Sequence, residues 1–63
     1  MTREEAFEQM LMGKKITHDH FMSDEYYHIP KGNDVIIAED GVNHTRAFWD
    51  QDFKKDGWEV YNH

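Results

Sequence analysis

Thr2-Arg3-Glu4-Glu5-Ala6-Phe7-Glu8-Gln9-Met10-Leu11-Met12-Gly13-Lys14-Lys15-Ile16-Thr17 contains a helix, the signals for both of its ends and the strand that follows it. Thr2 with Glu5 three positions on is a capping-box pattern, in which hydroxyl and carboxylate accept from amides that the first helical turn leaves free. The helix is therefore expected to start at Arg3. Ala6, Phe7, Met10 and Leu11 then form one apolar stripe, with Glu4, Glu5, Glu8 and Gln9 turned mostly to water. Gly13 stops the helix as a left-handed cap, and Lys14 and Lys15 sit where the helix dipole favours cations. At the other end, Asp52-Phe53-Lys54-Lys55-Asp56-Gly57-Trp58-Glu59-Val60 supplies the matching apolar anchors. Together the two segments bracket a single small domain over residues 1–63.

Working inward, residues 15–17 read as a short strand, and 18–25 as a loop too polar to be a core element. Residues 25–29 alternate and are rich in β-formers, a strand with Tyr27 and Ile29 inward and Tyr26 and His28 outward. Pro30-Lys31-Gly32-Asn33 is a turn. Asp34-Val35-Ile36-Ile37-Ala38 is the most apolar run and reads as a central strand, followed by a hairpin turn at Glu39-Asp40-Gly41 and a partner strand over 42–48. Residues 49–55 read as one or two helical turns, with Asp50 near the N-terminal dipole and Lys54 and Lys55 near the C-terminal one. Gly57 ends that turn, and residues 58–61 form a last strand with Trp58 and Val60 on one face. The expected fold is α+β, with an N-terminal helix packed on an antiparallel sheet of four or five strands and a short second helix before the last strand. One sheet face stays uncovered in a monomer, and Tyr26 and Tyr61 fall on it, residues of a kind that interfaces favour.

A chain of 63 residues has room for one thin core, burying only about 60% of its unfolded surface. It has no cysteine, so disulfides and thiolate metal sites are excluded, and the usual remaining supplement for so small a domain is self-association. Thirteen acidic against seven basic side chains give a formal charge of −6, which argues against direct binding to a nucleic-acid backbone. The first residues lack the basic and apolar regions of a secretory signal, and no apolar run approaches membrane-spanning length, so a soluble, cytoplasmic protein is expected.

The pattern Phe7-x-x-Met10-Leu11-x-Gly13-Lys14-Lys15-Ile16, followed by Tyr26-Tyr27-x-Ile29, Asp40-Gly41 and Asp52-Phe53-x-x-Asp56-x-Trp58-x-Val60, resembles a widespread small phage domain, the shorter versions of the Thoeris anti-defence type-two family. The resemblance runs over nearly the whole chain. It implies a compact α+β domain that assembles as a homodimer or homotetramer and sequesters host cyclic nucleotide immune signals, such as cyclic ADP-ribose derivatives, in pockets between subunits without chemistry. In the family pattern the first strand is usually followed by a basic pair and a Trp; here that stretch is Thr17-His18-Asp19-His20-Phe21. Histidines replace fixed positive charge, which weakens a phosphate grip near neutral pH, because an imidazole is mostly unprotonated there.

Several constellations carry competing readings. His18-Asp19-His20 has metal-pair spacing on an extended strand, with His28, His44, Asp24 and Glu25 as possible further ligands; one unanchored His-x-His without cysteine reads instead as hydrogen-bonded histidines in a loop, and no metal or other cofactor is expected. Arg46 and Trp49 bracket Phe48, and an Arg beside an aromatic can hold a phosphate and stack on a base. The alternatives are an Arg stem covering the sheet edge and a Trp anchoring a subunit interface. Asp50, Asp52 and Asp56 read as caps and dipole partners rather than an acid-base pair. Ser23, Asp24 and His20 lie too close in sequence to reach triad geometry, so no enzymatic activity is expected.

The expected function is that of a phage-type counter-defence protein that binds a host cyclic nucleotide signal between subunits. Arg46, Trp49, Tyr26, His18 and His20 are the candidate ligand-binding residues, for phosphate contact, stacking and polar recognition. The alternative is an acidic inhibitor that blocks a host defence or nucleic-acid enzyme, in place of DNA, motivated by the acids at positions 4, 5, 8, 19, 24, 25, 34, 39 and 40.

Overall fold

The capping box forms as its residues dictate. In the computed structural model, which describes residues 1–51 and 55–62, Thr2 Oγ1 accepts from the Glu5 amide at 3.2 Å and Glu5 Oε1 accepts from the Thr2 amide at 2.8 Å. The bond from the Thr2 amide, followed by that from its hydroxyl, holds the Glu5 carboxyl below the ordinary carboxylate value. Helix α1 spans Arg3–Leu11. It ends with Gly13 at a φ of 89°, where the Gly13 amide bonds to Met10 O and the Lys14 amide to Gln9 O. That pair of bonds is a Schellman motif, and it satisfies carbonyls that the last turn would leave open.

The buried stripe of α1 is rotated relative to the expected one. Arg3, Ala6 and Met10 are buried, Phe7 is half-buried, and Leu11 is 61% exposed. Arg3, expected only to start the helix and not to belong to the apolar stripe, is buried where Leu11 is not: its guanidinium Nη2 donates to Gln51 O at 2.6 Å while its stem packs inward.

Four strands follow, β1 (Ile16–His18), β2 (Tyr27–His28), β3 (Ile37–Ala38) and β4 (Trp58–Val60), in the order β3-β2-β1-β4 with every pair antiparallel. Helix α2 (Thr45–Asp50) precedes β4. The α+β architecture is thus the expected one, with a four-stranded sheet. Ile16 pairs with Val60 and Tyr27, His18 with Trp58, and Tyr27 with Ala38. Because strand side chains alternate, these residues share the face that α1 and α2 cover, and Thr17, Glu59, His28 and Ile37 share the other. The core comprises Ala6, Met10, Ile16, Tyr27, Ile36, Ala38, Phe48 and Trp58. Trp58, at its centre, meets Phe48 at 5.0 Å and Tyr27 at 5.8 Å between ring centroids, and each such large side chain contributes about 1.5–3 kcal/mol of burial.

Three expectations for the middle of the chain are corrected. The 34–38 run is not a central strand: only Ile37–Ala38 pairs, at the sheet edge beside β2. Ile36 is buried, but its amide donates to Thr45 Oγ1 and its carbonyl accepts from the His44 amide, so it is tied to the start of α2 instead of to another strand. No strand runs over 42–48; an isolated Ile37–Asn43 bridge is all that follows the hairpin. Asn43 Oδ1 accepts from the Thr45 amide at 2.9 Å and hydroxyl at 2.8 Å, a local side-chain bond that competes with strand pairing and bends the chain into a helix. The second helix consequently begins at Thr45 and ends at Asp50 rather than occupying 49–55; residues 52–54 of that expectation lie outside the described residues.

The hairpin turn at 39–41 is present. Gly41 N donates to Ala38 O and Ala38 N to Val42 O, with positive φ at Gly41 alone, the pattern of a three-residue loop in which Asp40 keeps ordinary backbone angles. Residues 18–25 are likewise less external than their polarity implied. His18 is 5% exposed and Phe21 packs against the core, 5.0 Å from Tyr27 and 5.7 Å from Trp58.

Candidate functional site

His18 stands at the end of β1, on the helix-covered face, with its ring edge-on to Trp58 at 4.7 Å. The His20 amide donates to His18 Nδ1 at 3.1 Å, so that nitrogen carries a lone pair; the other, Nε2, lies 2.6 Å from Asp56 O and carries the proton it donates there. Both ring nitrogens are thereby engaged in one neutral tautomer. His20 is exposed and its ring stacks on that of His18, 5.2 Å between centroids. The two histidines are brought together. The described residues nevertheless contain no group of three or more His, Asp or Glu side chains placed to hold a metal ion.

Arg46 and Trp49 lie elsewhere. Arg46 projects from α2 with its side chain 94% exposed, paired with Asp50 one turn on at 3.3 Å, an exposed helical ion pair of small energetic weight. Trp49 is 37% exposed and fills the α1–α2 junction, 5.2 Å from Phe7 and 4.9 Å from Phe48. Both residues belong to the helical layer.

Tyr26 occupies the opposite, uncovered side of the sheet. Its ring lies 4.9 Å from Tyr61 and 5.8 Å from His28, and the Lys15 ammonium sits 4.7 Å above its centroid. The Tyr26 amide donates to Glu39 Oε2 at 3.4 Å, fixing the backbone from which the ring projects. The five candidate residues therefore fall into three groups separated by the sheet and by the helical layer. Of the five, only His18 lines the cavity at the β1–β4 end of the sheet, and none lines the groove beside the 28–33 turn.

Two concave regions flank these groups. An open cavity of about 370 Å³ at the β1–β4 end is lined by Thr17, His18, Asp19, Phe21, Ser23 and Tyr61, among others. A broader groove of about 620 Å³ runs between the C-terminal end of α1 and the 28–33 turn, with Met10, Leu11, Met12, Ile29 and Pro30 as its apolar lining. The first is continuous with the tyrosine pair, because Tyr61 both lines it and contacts Tyr26. Thr17 and Phe21, which line that cavity, and Lys15, which sits over the Tyr26 ring, were absent from the sequence-derived candidates; the alternation that placed Tyr26 and Tyr61 on the outer face would also have placed Lys15 there, since Ile16 faces inward.

Among the described residues, Tyr27 is the titratable side chain most altered by the fold. Burial first, and then the negative charges of Glu25, Glu39 and Asp40, push its phenol up to about 12. It stays protonated and serves as a core residue, stacked on His44 at 5.3 Å.

No helix among the described residues is long and apolar enough to cross a membrane. Compared with protein-family models, curated proteins and solved structures, the chain matches none.

Proposed function

We propose that this chain is a non-catalytic binding domain that sequesters a host cyclic nucleotide signal, acting in the host cytoplasm as a phage counter-defence protein and completing its pockets with a second copy of itself. The observation that carries the reading is the group formed by Lys15, Tyr26 and Tyr61 on the uncovered sheet face, beside the 370 Å³ cavity. Aromatic faces offer stacking to a nucleobase, and a lysine beside them offers a cation to its phosphate. Asp19 and Glu59 line the same cavity and repel phosphate, which favours the base or sugar there and the phosphate near Lys15. The uncovered face is also the surface on which a second copy would close a pocket. The sequence resemblance supports the same reading.

Calorimetry of the purified protein against a panel of cyclic nucleotides, together with its mass in solution, is the direct test. Binding by at least one compound, weakened at least tenfold by Tyr61→Ala or Lys15→Met in a folded protein, is the expected result. A strict monomer that binds no member of the panel would leave the proposal without foundation.

A second reading rests on a different surface. Glu4, Glu5 and Glu8 are exposed along α1, and none of them pairs with a cation among the described residues. An inhibitor of a basic host enzyme would present such a face, and the complex would weaken steeply with salt. A pull-down at low and high ionic strength separates it from nucleotide capture.

A further inference from the structure

We propose that Asp56-Gly57 is a site of spontaneous covalent modification, where the fold holds the Gly57 amide against the Asp56 carboxyl for closure to a succinimide and reopening to isoaspartate. The proposal is independent of what the cavity binds.

The chain contains two Asp-Gly steps, Asp40-Gly41 and Asp56-Gly57. A glycine after an aspartate brings no side chain to shield its backbone nitrogen, so both steps are open to the same ring closure. In that reaction the glycine nitrogen attacks Cγ of the protonated aspartate carboxyl. The N–Cγ bond forms, the Cγ–OH bond breaks, and the hydroxyl leaves with the amide proton as water. Water then adds to one of the two imide carbonyls. At Cγ it restores aspartate; at the main-chain carbonyl carbon it leaves the chain running through the β-carbon, as isoaspartate. The water released is the water consumed, so the sequence is a net isomerisation with no other reactant.

The fold treats the two steps differently. In the hairpin, the Gly41 amide donates to Ala38 O at 2.9 Å, and Asp40 Oδ1 accepts from the Val42 amide at 3.1 Å. Nitrogen and carboxyl are each held by another partner, and closure requires both bonds to break. At the second step the Gly57 amide instead meets Asp56 Oδ1 at 2.9 Å, so the nitrogen is in contact with the carboxyl it must attack. That is the one hydrogen bond the Gly57 amide makes among the described residues. Holding two reacting groups together in this way removes the entropic part of the barrier.

Two further features favour Asp56. Its side chain is 78% exposed, so solvent protons and water reach the carboxyl; its ion pair with the Met1 ammonium, at 3.9 Å, is correspondingly weak. The carbonyl of the peptide that supplies the nitrogen, Asp56 O, accepts from His18 Nε2 at 2.6 Å. A donor there stabilises the negative charge that the peptide unit gains when its nitrogen gives up the proton. Opening to isoaspartate adds a carbon to the backbone and sets a free carboxylate where His18 now finds that carbonyl, beside the 370 Å³ cavity that His18 and Asp19 line.

The test is incubation of the full chain in heavy-oxygen water at mildly acidic pH, once folded and once in urea. Each closure and reopening places one heavy oxygen on the residue, and peptide fragmentation assigns it to Asp40 or Asp56. Isoaspartate is recognised by its resistance to an endoprotease that cuts before aspartate. The Asp56-to-Asp40 labelling ratio is expected to be at least about fivefold higher in the folded protein than in urea, with isoaspartate among the products at Asp56. A smaller excess, no label at Asp56, or label there without isoaspartate would each overturn the assignment.

Discussion

His18 and Trp58 are cross-strand partners in the β1–β4 ladder, and their rings meet edge-to-face at 4.7 Å with an interplanar angle of 74°. The pair lies where the strands, the 19–25 loop and the Asp56-Gly57 turn converge: the Asp19 amide donates to Gly57 O at 3.1 Å, and the Trp58 amide and carbonyl bond to Met1. A histidine in a polar stretch is thereby made a core residue, and the backbone around it is constrained from several sides.

Gly57 is the point at which that constraint is tightest. Its φ is 89°, and an added Cβ would lie 3.1 Å from His18 Nε2, an atom already pinned by Asp56 O. Gly57→Ala is expected to destabilise the protein by about 2–3 kcal/mol, against about 1 kcal/mol for Gly32→Ala. Gly32 shares the backbone strain, with a φ of 85°, but has open space around it. Urea denaturation of the two variants measures the difference; equal losses would show that the His18 contact is not rigid.

Tyr27 predicts an alkaline limit to stability. Its phenol, with an ordinary pKa of 10.0, is pushed up to about 12 in the fold. Between those values the unfolded chain sheds the proton that the folded chain keeps, so the contribution is whole below about pH 10 and is lost as the pH climbs to about 12. Tyr27→Phe removes this part of the decline. Chemical denaturation across the alkaline range checks it, and an unchanged slope in the variant would count against a raised phenol.

Arg3 links the start of α1 to the end of α2 through Gln51 O, yet its buried Nε has no hydrogen-bond partner among the described residues. A buried cation with an open donor contributes more through its stem than through its charge. Arg3→Met should therefore remain within about 1 kcal/mol of the parent, while Arg3→Ala costs about 2 kcal/mol or more. Thermal melts of both variants separate packing from charge.

Tyr26 and Tyr61 contact one another in the folded monomer, 4.9 Å between centroids. A double-mutant cycle with Tyr26→Ala and Tyr61→Ala should give a coupling of about 0.5–1.5 kcal/mol. Additive single effects would mean that the rings do not meet in solution.

Much of the architecture was legible because it rests on local chemistry. Thr2 and Glu5, Gly13, and Asp40-Gly41 act through the backbone within a few residues of themselves, and each formed the cap or turn its type requires. Alternation in the last strand likewise placed Trp58 inward and Tyr61 outward. Where local signals conflicted, the reading failed: the hairpin turn at 39–41 implied a partner strand over 42–48, but the Asn43 side chain captured Thr45 and started a helix. The candidate site was less legible still, because Tyr26, His18 and Arg46 project from different layers and their separation depends on which face each element covers.

The sequence by itself determined the capped first helix, its glycine stop, the hairpin turn and the inward Trp58, since these follow from short-range hydrogen bonding, φ restrictions and side-chain period. Only the tertiary structure decided that His18 is buried, that Arg3 lies in the core boundary and that 37–38 is an edge strand. Those outcomes depend on contacts between residues far apart in the chain, such as His18 with Asp56 and Arg3 with Gln51, where a distant carbonyl offsets the cost of burying a polar side chain that no local pattern marks for burial.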